Sequence, residues 1–235
     1  MAPGTPHACK YIWAMFDLDD TLVSRAPNIV QQANRAALQL LSSSAQDMEW
    51  LGEQLAHVYQ RTTQHTGLLV TKRQQFTELL QQLGQPNIAE QLFAAYLTRY
   101  LALVQVFPDV HPTLSRLVER GLRIGIATNG PLDTVEAVLQ HGDLYRYVDC
   151  IVTPVQAGAA KPSPTFATFM AAQTSVAARH IIMVGDSAAD IVTAQHIGAT
   201  AVLIDRGLTG PQDVAPDYRV QTLREILPLC LATAS

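Results

Sequence analysis

A short apolar run, Tyr11 to Phe16, ends abruptly in Asp17-Leu18-Asp19-Asp20-Thr21. Carboxylates two apart on an extended segment share one face, so one can attack an electrophile while the other handles the proton. Three more polar groups follow later apolar runs. They are Thr128-Asn129-Gly130, Lys161 between Ala160 and Pro162, and Gly185-Asp186-Ser187 with Asp190 a turn further on. Brought to one edge, three or more carboxylates repel one another unless a cation sits among them. Asp17 and Asp186 suit Mg²⁺, a hard ion that prefers oxygen and keeps several waters. A threonine hydroxyl, a helix-terminal amide and a lysine would add a cradle for phosphate. Metal and lysine together would neutralise a phosphate dianion and let an anionic carboxylate approach phosphorus.

Such chemistry needs elements that carry all these residues to one place. Runs at Tyr11–Phe16, Leu122–Thr128, Val148–Thr153, Ile181–Gly185 and Thr200–Asp205 read as buried strands. Between them, Val110–Arg120, Leu132–Gln140, Pro164–Ala172 and Ala188–Ile197 have helical periodicity, with Gly121, Gly142 and Gly198 as stops. This alternation predicts an α/β fold, a doubly wound parallel sheet covered on both faces. Ligands in such sheets bind at the carboxyl ends of the strands, where every residue named above falls. From about Pro27 to Val106 no strand signal appears. Four helices are expected there instead: Ile29–Leu41, Asp47–Thr63, Lys72–Leu83 and Ile88–Val104, with breaks at Thr66-Gly67 and Gln85-Pro86-Asn87. The expected organisation is a core of residues 1–23 and 107–235 with an all-helical cap domain, 24–106, inserted between them.

The bulk composition narrows the function. The 235 residues are 48% hydrophobic, enough for a sizeable core, and carry a net charge of −4 with no long run of one sign. A nucleic-acid partner, which would call for a basic stripe, is not expected. Cys9, Cys150 and Cys230 are scattered and odd in number, so a reducing compartment is the simpler reading. The first nine residues look like a loose tail, and no stretch is long enough for a membrane span. A cytoplasmic protein with no membrane partner is the resulting expectation.

Four motifs in order resemble the haloacid dehalogenase-like superfamily of aspartate-nucleophile phosphatases and their relatives. They are Phe16-Asp17-Leu18-Asp19-Asp20-Thr21-Leu22, Ala127-Thr128-Asn129-Gly130, Ala160-Lys161-Pro162-Ser163-Pro164 and Gly185-Asp186-Ser187-Ala188-Ala189-Asp190. The resemblance implies a Rossmann-like core with a helical cap. It also implies that Asp17 is the nucleophile and Asp19 the general acid and base. Mg²⁺ would be held by Asp17, Asp186 and the backbone carbonyl of Asp19. Thr128, Asn129 and Lys161 would bind the phosphate, and Asp190 would orient Lys161 or the metal shell. Dehalogenases of the family lack the second aspartate, because a departing halide needs no proton. Asp19 therefore favours phosphate ester hydrolysis. The stretch Thr153-Pro154-Val155-Gln156-Ala157-Gly158 departs from many relatives in lacking acidic residues before the lysine.

The blander readings are specific too. Thr128 and Asn129 could cap the following helix, and Asp20 reads as a loop residue. Trp13 and Phe16 read as core, and Trp50, Tyr59, Phe93 and Tyr96 as packing within the cap. Arg61, Lys72 and Arg73 are candidates for a second anionic group, with solvated surface the simpler expectation. The seven histidines show no zinc-ligand spacing. The function expected is hydrolysis of a small phosphorylated metabolite of the phosphoglycolate, sugar-phosphate or nucleoside-monophosphate type, by a monomer or homodimer. A phosphomutase, a halide-displacing enzyme and a non-catalytic phosphate- or partner-binding module are the alternatives.

Overall fold

The computed structural model describes residues 10–66, 70–208 and 213–231. Cys9, the loose tail before it and Gly67 of the expected break lie outside the described residues. In chain order the elements are β1 (Trp13–Phe16), β2 (Val23–Arg25), α1 (Ile29–Leu38), α2 (Ala45–Thr66), α3 (Lys72–Gln82) and α4 (Ala89–Leu101). Then come β3 (Val104–Val106), α5 (Val110–Glu119), β4 (Arg123–Ala127), α6 (Leu132–His141), β5 (Val148–Val152), α7 (Pro154–Ala157) and α8 (Pro164–Thr174). The chain finishes with β6 (Ile181–Gly185), α9 (Ala188–Ile197), β7 (Thr200–Ile204), β8 (Tyr218–Val220) and α10 (Ile226–Leu231).

Six strands form one sheet in the order β5-β4-β1-β6-β7-β8, and every neighbouring pair is parallel. The chain builds outward from β1 on one side, then crosses and builds outward on the other. The strand order therefore reverses beside β1, leaving a crevice at the carboxyl ends of β1 and β6. Side chains alternate between two packed layers. Trp13, Met15, Ile181, Met183, Ala201 and Leu203 meet Phe166 and Met170 of α8 and Ile191 and Ala194 of α9. Ala14, Phe16, Ile124, Ile126, Ile182 and Val184 face the layer built by α5, α6 and α10. Gly198 ends α9 at φ 73, a left-handed position that favours glycine.

The helical cap, α1 to α4, shares the second of these cores. Phe76, Leu79, Leu92, Phe93, Tyr96 and Tyr100 pack inside it, with Tyr96 stacked on Tyr100 at 5.4 Å between ring centroids. Phe93 and Tyr96 are buried as expected, but Trp50 and Tyr59 are 49% and 43% exposed. The apolar positions Leu51, Leu55 and Val58 of α2 fill the cap core instead, and Tyr59 lines the cavity between cap and core.

Three elements depart from the expectation. The interval expected to lack strands contains β3, which pairs antiparallel with β2 to make a two-stranded neck under the cap. Three-residue strands carry no readable period, which is why the sequence hides them. The first strand is shorter than Tyr11–Phe16, and the sheet gains β8 at its edge. No helix among the described residues is long and apolar enough to cross a membrane.

Candidate active site

Asp17, Thr128 and Asp186 directly follow β1, β4 and β6, Lys161 sits in the loop before α8, and Asp190 lies in the first turn of α9. Asp17 continues the β1 ladder, its amide donating to the Val184 carbonyl at 2.9 Å. The chain then turns tightly: the amides of Leu22 and Val23 both donate to the Leu18 carbonyl. Asp19 therefore lies in a turn and not on the strand. It reaches the same cavity as Asp17 because the turn folds it back, and the period-two alternation expected for the pair does not apply.

Lys161 occupies the centre. Its Nζ donates to Asp17 Oδ1, to Asp190 Oδ1 and to the Ala127 carbonyl, each at 2.6 Å. Those three acceptors hold the ammonium over the carboxyl ends of β4 and β1, beside the first turn of α9. Asp190 has its other oxygen taken by the amide and hydroxyl of Ser187, at 3.1 and 2.6 Å, which caps α9. Asp190 therefore stands beside Lys161 with both carboxylate oxygens engaged. Asn129 clamps the lysine loop from the other side. Its Nδ2 donates to the Lys161 carbonyl at 3.1 Å and its Oδ1 accepts from the Lys161 amide at 2.8 Å. Much of that amide's capacity is thus spent on positioning Lys161. Thr128 Oγ1 accepts from the Gly130 amide at 3.1 Å, which leaves its hydroxyl proton to donate into the cavity.

Electrostatics follow from this crowding. Asp17 is pushed up to about 8 by burial, reinforced by Asp190 and Asp19 and opposed by Lys161. Asp186 rises to about 6, again through burial and then through Asp190 and Asp20. Burial works against the Lys161 ammonium, but Asp17 and Asp190 overcome it and hold the pKa above the ordinary lysine value. One lysine thus faces three buried carboxylates. Asp17, Asp186 and Asp190 bring one oxygen each within 4.8 Å of the other two. An all-oxygen set with surplus negative charge suits a hard divalent cation, which would favour the ionised form of Asp17.

Asp19 meets a cation from the neck. Arg25 at the end of β2 lies 3.2 Å from Asp19 Oδ2 and 3.1 Å from Asp20 Oδ2. Burial raises the Asp19 carboxyl above its usual value, with Arg25 pulling the other way. Asp20, at φ 58, serves as the loop residue expected.

A cavity of about 1260 Å³ lies between core and cap, lined by Asp17, Asp19, Thr128, Lys161 and Asp186 from the core. From the cap come Asn34, Lys72, Tyr96 and Tyr100. Lys72 overturns the solvated expectation, since it is only 5% exposed, whereas Arg61 and Arg73 are on the surface. Lys72, Gln75, Phe76 and Leu79 all turn to the buried side of α3. That i, i+3, i+4, i+7 spacing is the signal that could have found it.

Fold and site together define a capped, doubly wound α/β protein whose polar centre lies at the switch point of its sheet. Residues 14–204 match the haloacid dehalogenase-like hydrolases. The match covers most of the chain, and the protein belongs to that family. It is 26% identical over 232 residues to a phosphoglycolate phosphatase of Escherichia coli O157:H7, spanning 91% of this chain and 90% of the relative. Two solved structures are similar along nearly their whole length. One is a HAD phosphatase from Thermococcus onnurineus, 25% identical, TM-score 0.63, covering 94% of this chain and 98% of the other. The second is a 2-haloacid dehalogenase from Pseudomonas syringae pv. Tomato DC3000, 28% identical, TM-score 0.70, with the same coverage.

Proposed function

We propose that the protein is a Mg²⁺-dependent phosphatase that hydrolyses a small phosphomonoester through an aspartyl-phosphate on Asp17. The observation that carries this reading is the Lys161 ammonium held 2.6 Å from Asp17 in a cavity that also contains Thr128 and Asp19. Mg²⁺ held by Asp17, Asp186 and the Asp19 carbonyl would supply positive charge against the phosphate oxygens. Lys161 and the Thr128 hydroxyl bind those oxygens as well, and Asn129 keeps the lysine loop in place. Asp17 attacks phosphorus in line, and Asp19 protonates the departing alkoxide. Asp19, now ionised, takes a proton from water, which attacks the aspartyl-phosphate and frees both phosphate and Asp17. The cap, residues 24–106, closes over the substrate and keeps bulk water out.

Similarity to phosphoglycolate phosphatases supports an ester of that size, with sugar phosphates and nucleoside monophosphates as the neighbouring classes. Similarity to a dehalogenase favours a second reading, halide displacement by Asp17. Asp19 tells against it, because a halide leaves without a proton. A phosphomutase would share every core residue and differ in what the cap admits.

Phosphate release from a panel of phosphomonoesters, with Mg²⁺ or EDTA, tests the proposal. Release that needs Mg²⁺ and disappears in Asp17→Asn is the expected result. Turnover retained by Asp17→Asn, or chloride release from 2-chloropropionate in place of phosphate release, would overturn it.

A further inference from the structure

Lys72 is a buried cation without a buried anion. Its Nζ donates to Gln75 Oε1 at 2.8 Å and to Asn34 Oδ1 at 3.3 Å, both neutral amides. The rings of Tyr96 and Phe76 flank it, with centroids 5.0 and 5.7 Å away. No carboxylate among the described residues forms an ion pair with it. Asp133, the nearest acidic neighbour in charge terms, spends its oxygens on the backbone amides of Lys72, Arg73 and Thr134. An ammonium removed from water and left unpaired is costly, and proteins retain such groups where a ligand completes them.

The ligand has a route, because Lys72 and Asn34 line the same cavity as Asp17, Thr128 and Lys161. Two donors remain unspent there. Nζ has a third proton, and Asn34 Nδ2 has no partner among the described residues. Gln75 is more committed, since its Oε1 accepts from Lys72 and one Nε2 proton goes to the Val70 carbonyl at 3.3 Å. A carboxylate, with one negative charge and two acceptor oxygens, matches one buried ammonium and one amide N–H. A second phosphate would bring more charge than one ammonium balances.

We infer that Lys72 and Asn34 form a second anion subsite, which binds a carboxylate on the alcohol portion of the phosphoester and selects phosphorylated hydroxy acids. This rests on the phosphatase reading above for its chemistry. The subsite makes the cavity bipolar, with the phosphate held at Lys161 and the carboxylate at Lys72. Both ends are then satisfied only by a substrate that is anionic at each end.

Matched esters test the subsite: phosphoglycolate, 2-hydroxyethyl phosphate and 2-aminoethyl phosphate differ at the distal group alone. Wild type should favour phosphoglycolate over the hydroxyethyl ester by about 10–100-fold in kcat/KM, as a charge-assisted hydrogen bond implies. Lys72→Gln should collapse that ratio towards one, mainly through KM for phosphoglycolate, and Lys72→Arg should restore much of it. A ratio that survives in Lys72→Gln, or that is absent in wild type, overturns the inference. Calorimetric binding of the same esters to Asp17→Asn with Mg²⁺ separates the two claims. A Lys72-dependent carboxylate preference in binding, with no turnover by wild type, would sink the phosphatase reading and keep the subsite.

Discussion

Gly185 closes β6 directly under Asp190, and a Cβ built there overlaps Cβ, Cγ and Oδ2 of that residue. Alanine must push Asp190 aside, and Lys161, which donates to Asp190 Oδ1, must follow. Misplacing a positioned group by about 1 Å can reduce turnover on the order of 100-fold. Gly185→Ala is expected to lose about that much kcat while the near-ultraviolet circular dichroism stays native. An unchanged kcat would mean that Asp190 has room to move without disturbing the lysine. Lys161 makes a sharper case. Replacing it with methionine leaves Asp17, Asp186 and Asp190 buried with no cation, a change that typically costs about 3–5 kcal/mol. Urea unfolding of Lys161→Met without Mg²⁺ should show a loss of that order. Added Mg²⁺ should then restore more stability to the variant than it adds to wild type, because only the folded triad binds it. No Mg²⁺ increment in either protein would argue against a cation among the three carboxylates. Asp17, Thr128 and Asp186 were legible in the sequence because each follows an apolar run with an abrupt polar group, whereas Lys161 and Asp190 were placed by the motifs that resemble the family. Arg25 was not legible, and Lys72, though a candidate for a second anionic group, was expected on the surface, since its partners Asn34 and Tyr96 come from segments that only folding brings together.

The elements of the core could be read because strand and helix each carry their own period, and a stop such as Gly198 separates them. The neck could not, because β2 and β3 are held by pairing Val23 with Val106, 83 positions apart in the chain, a partnership no local pattern records. Helix α3 lies between these cases. Its apolar stripe, Phe76, Leu79 and Leu80, was visible, yet the same stripe carries Lys72 into the interior at its first turn. Burial lowers the Lys72 pKa to about 8, with Asp133 opposing; Arg73 and Tyr96 are the other ionisable side chains near it. The sign follows directly. Below pH 8 both folded and unfolded chains hold the proton, and the folded state bears the full penalty. Between about pH 8 and the ordinary lysine value the unfolded chain binds more protons, so this group makes stability rise with pH. Lys72→Met removes that dependence. Near pH 7 the variant should be more stable than wild type by about 1–3 kcal/mol, less whatever Asn34 and Gln75 lose as partners. The advantage should shrink as the pH approaches 10. Denaturant midpoints across this range check it, and a variant less stable at neutral pH would mean that the lysine stabilises the cap.

Across the whole molecule, cap and core meet through few polar ties beyond their shared apolar layer. Asp133, in the first turn of α6, accepts from the amides of Lys72 and Arg73 at 3.2 and 3.1 Å and so caps α3 from the core side. Arg25 makes another tie, from the neck to Asp19 and Asp20. A helix N-terminus leaves its first amides unsatisfied, and a carboxylate placed there meets both their hydrogen-bonding need and the helix dipole. Asp133 is 7% exposed, so water replaces it poorly while the cap stays docked. Asp133→Ala should therefore free the start of α3 without loosening the sheet. Losing a buried charged acceptor is worth about 1.5–3 kcal/mol, or roughly 10–100-fold in local opening. Native-state hydrogen exchange is expected to quicken by about that factor at the Lys72 and Arg73 amides. The amides of β1 and β6, which lie inside the parallel sheet, should keep their wild-type rates. Equal acceleration in α3 and in these strands would instead mean that cap and core open as one cooperative unit. The cavity between them would then have to admit its substrate without the cap moving separately.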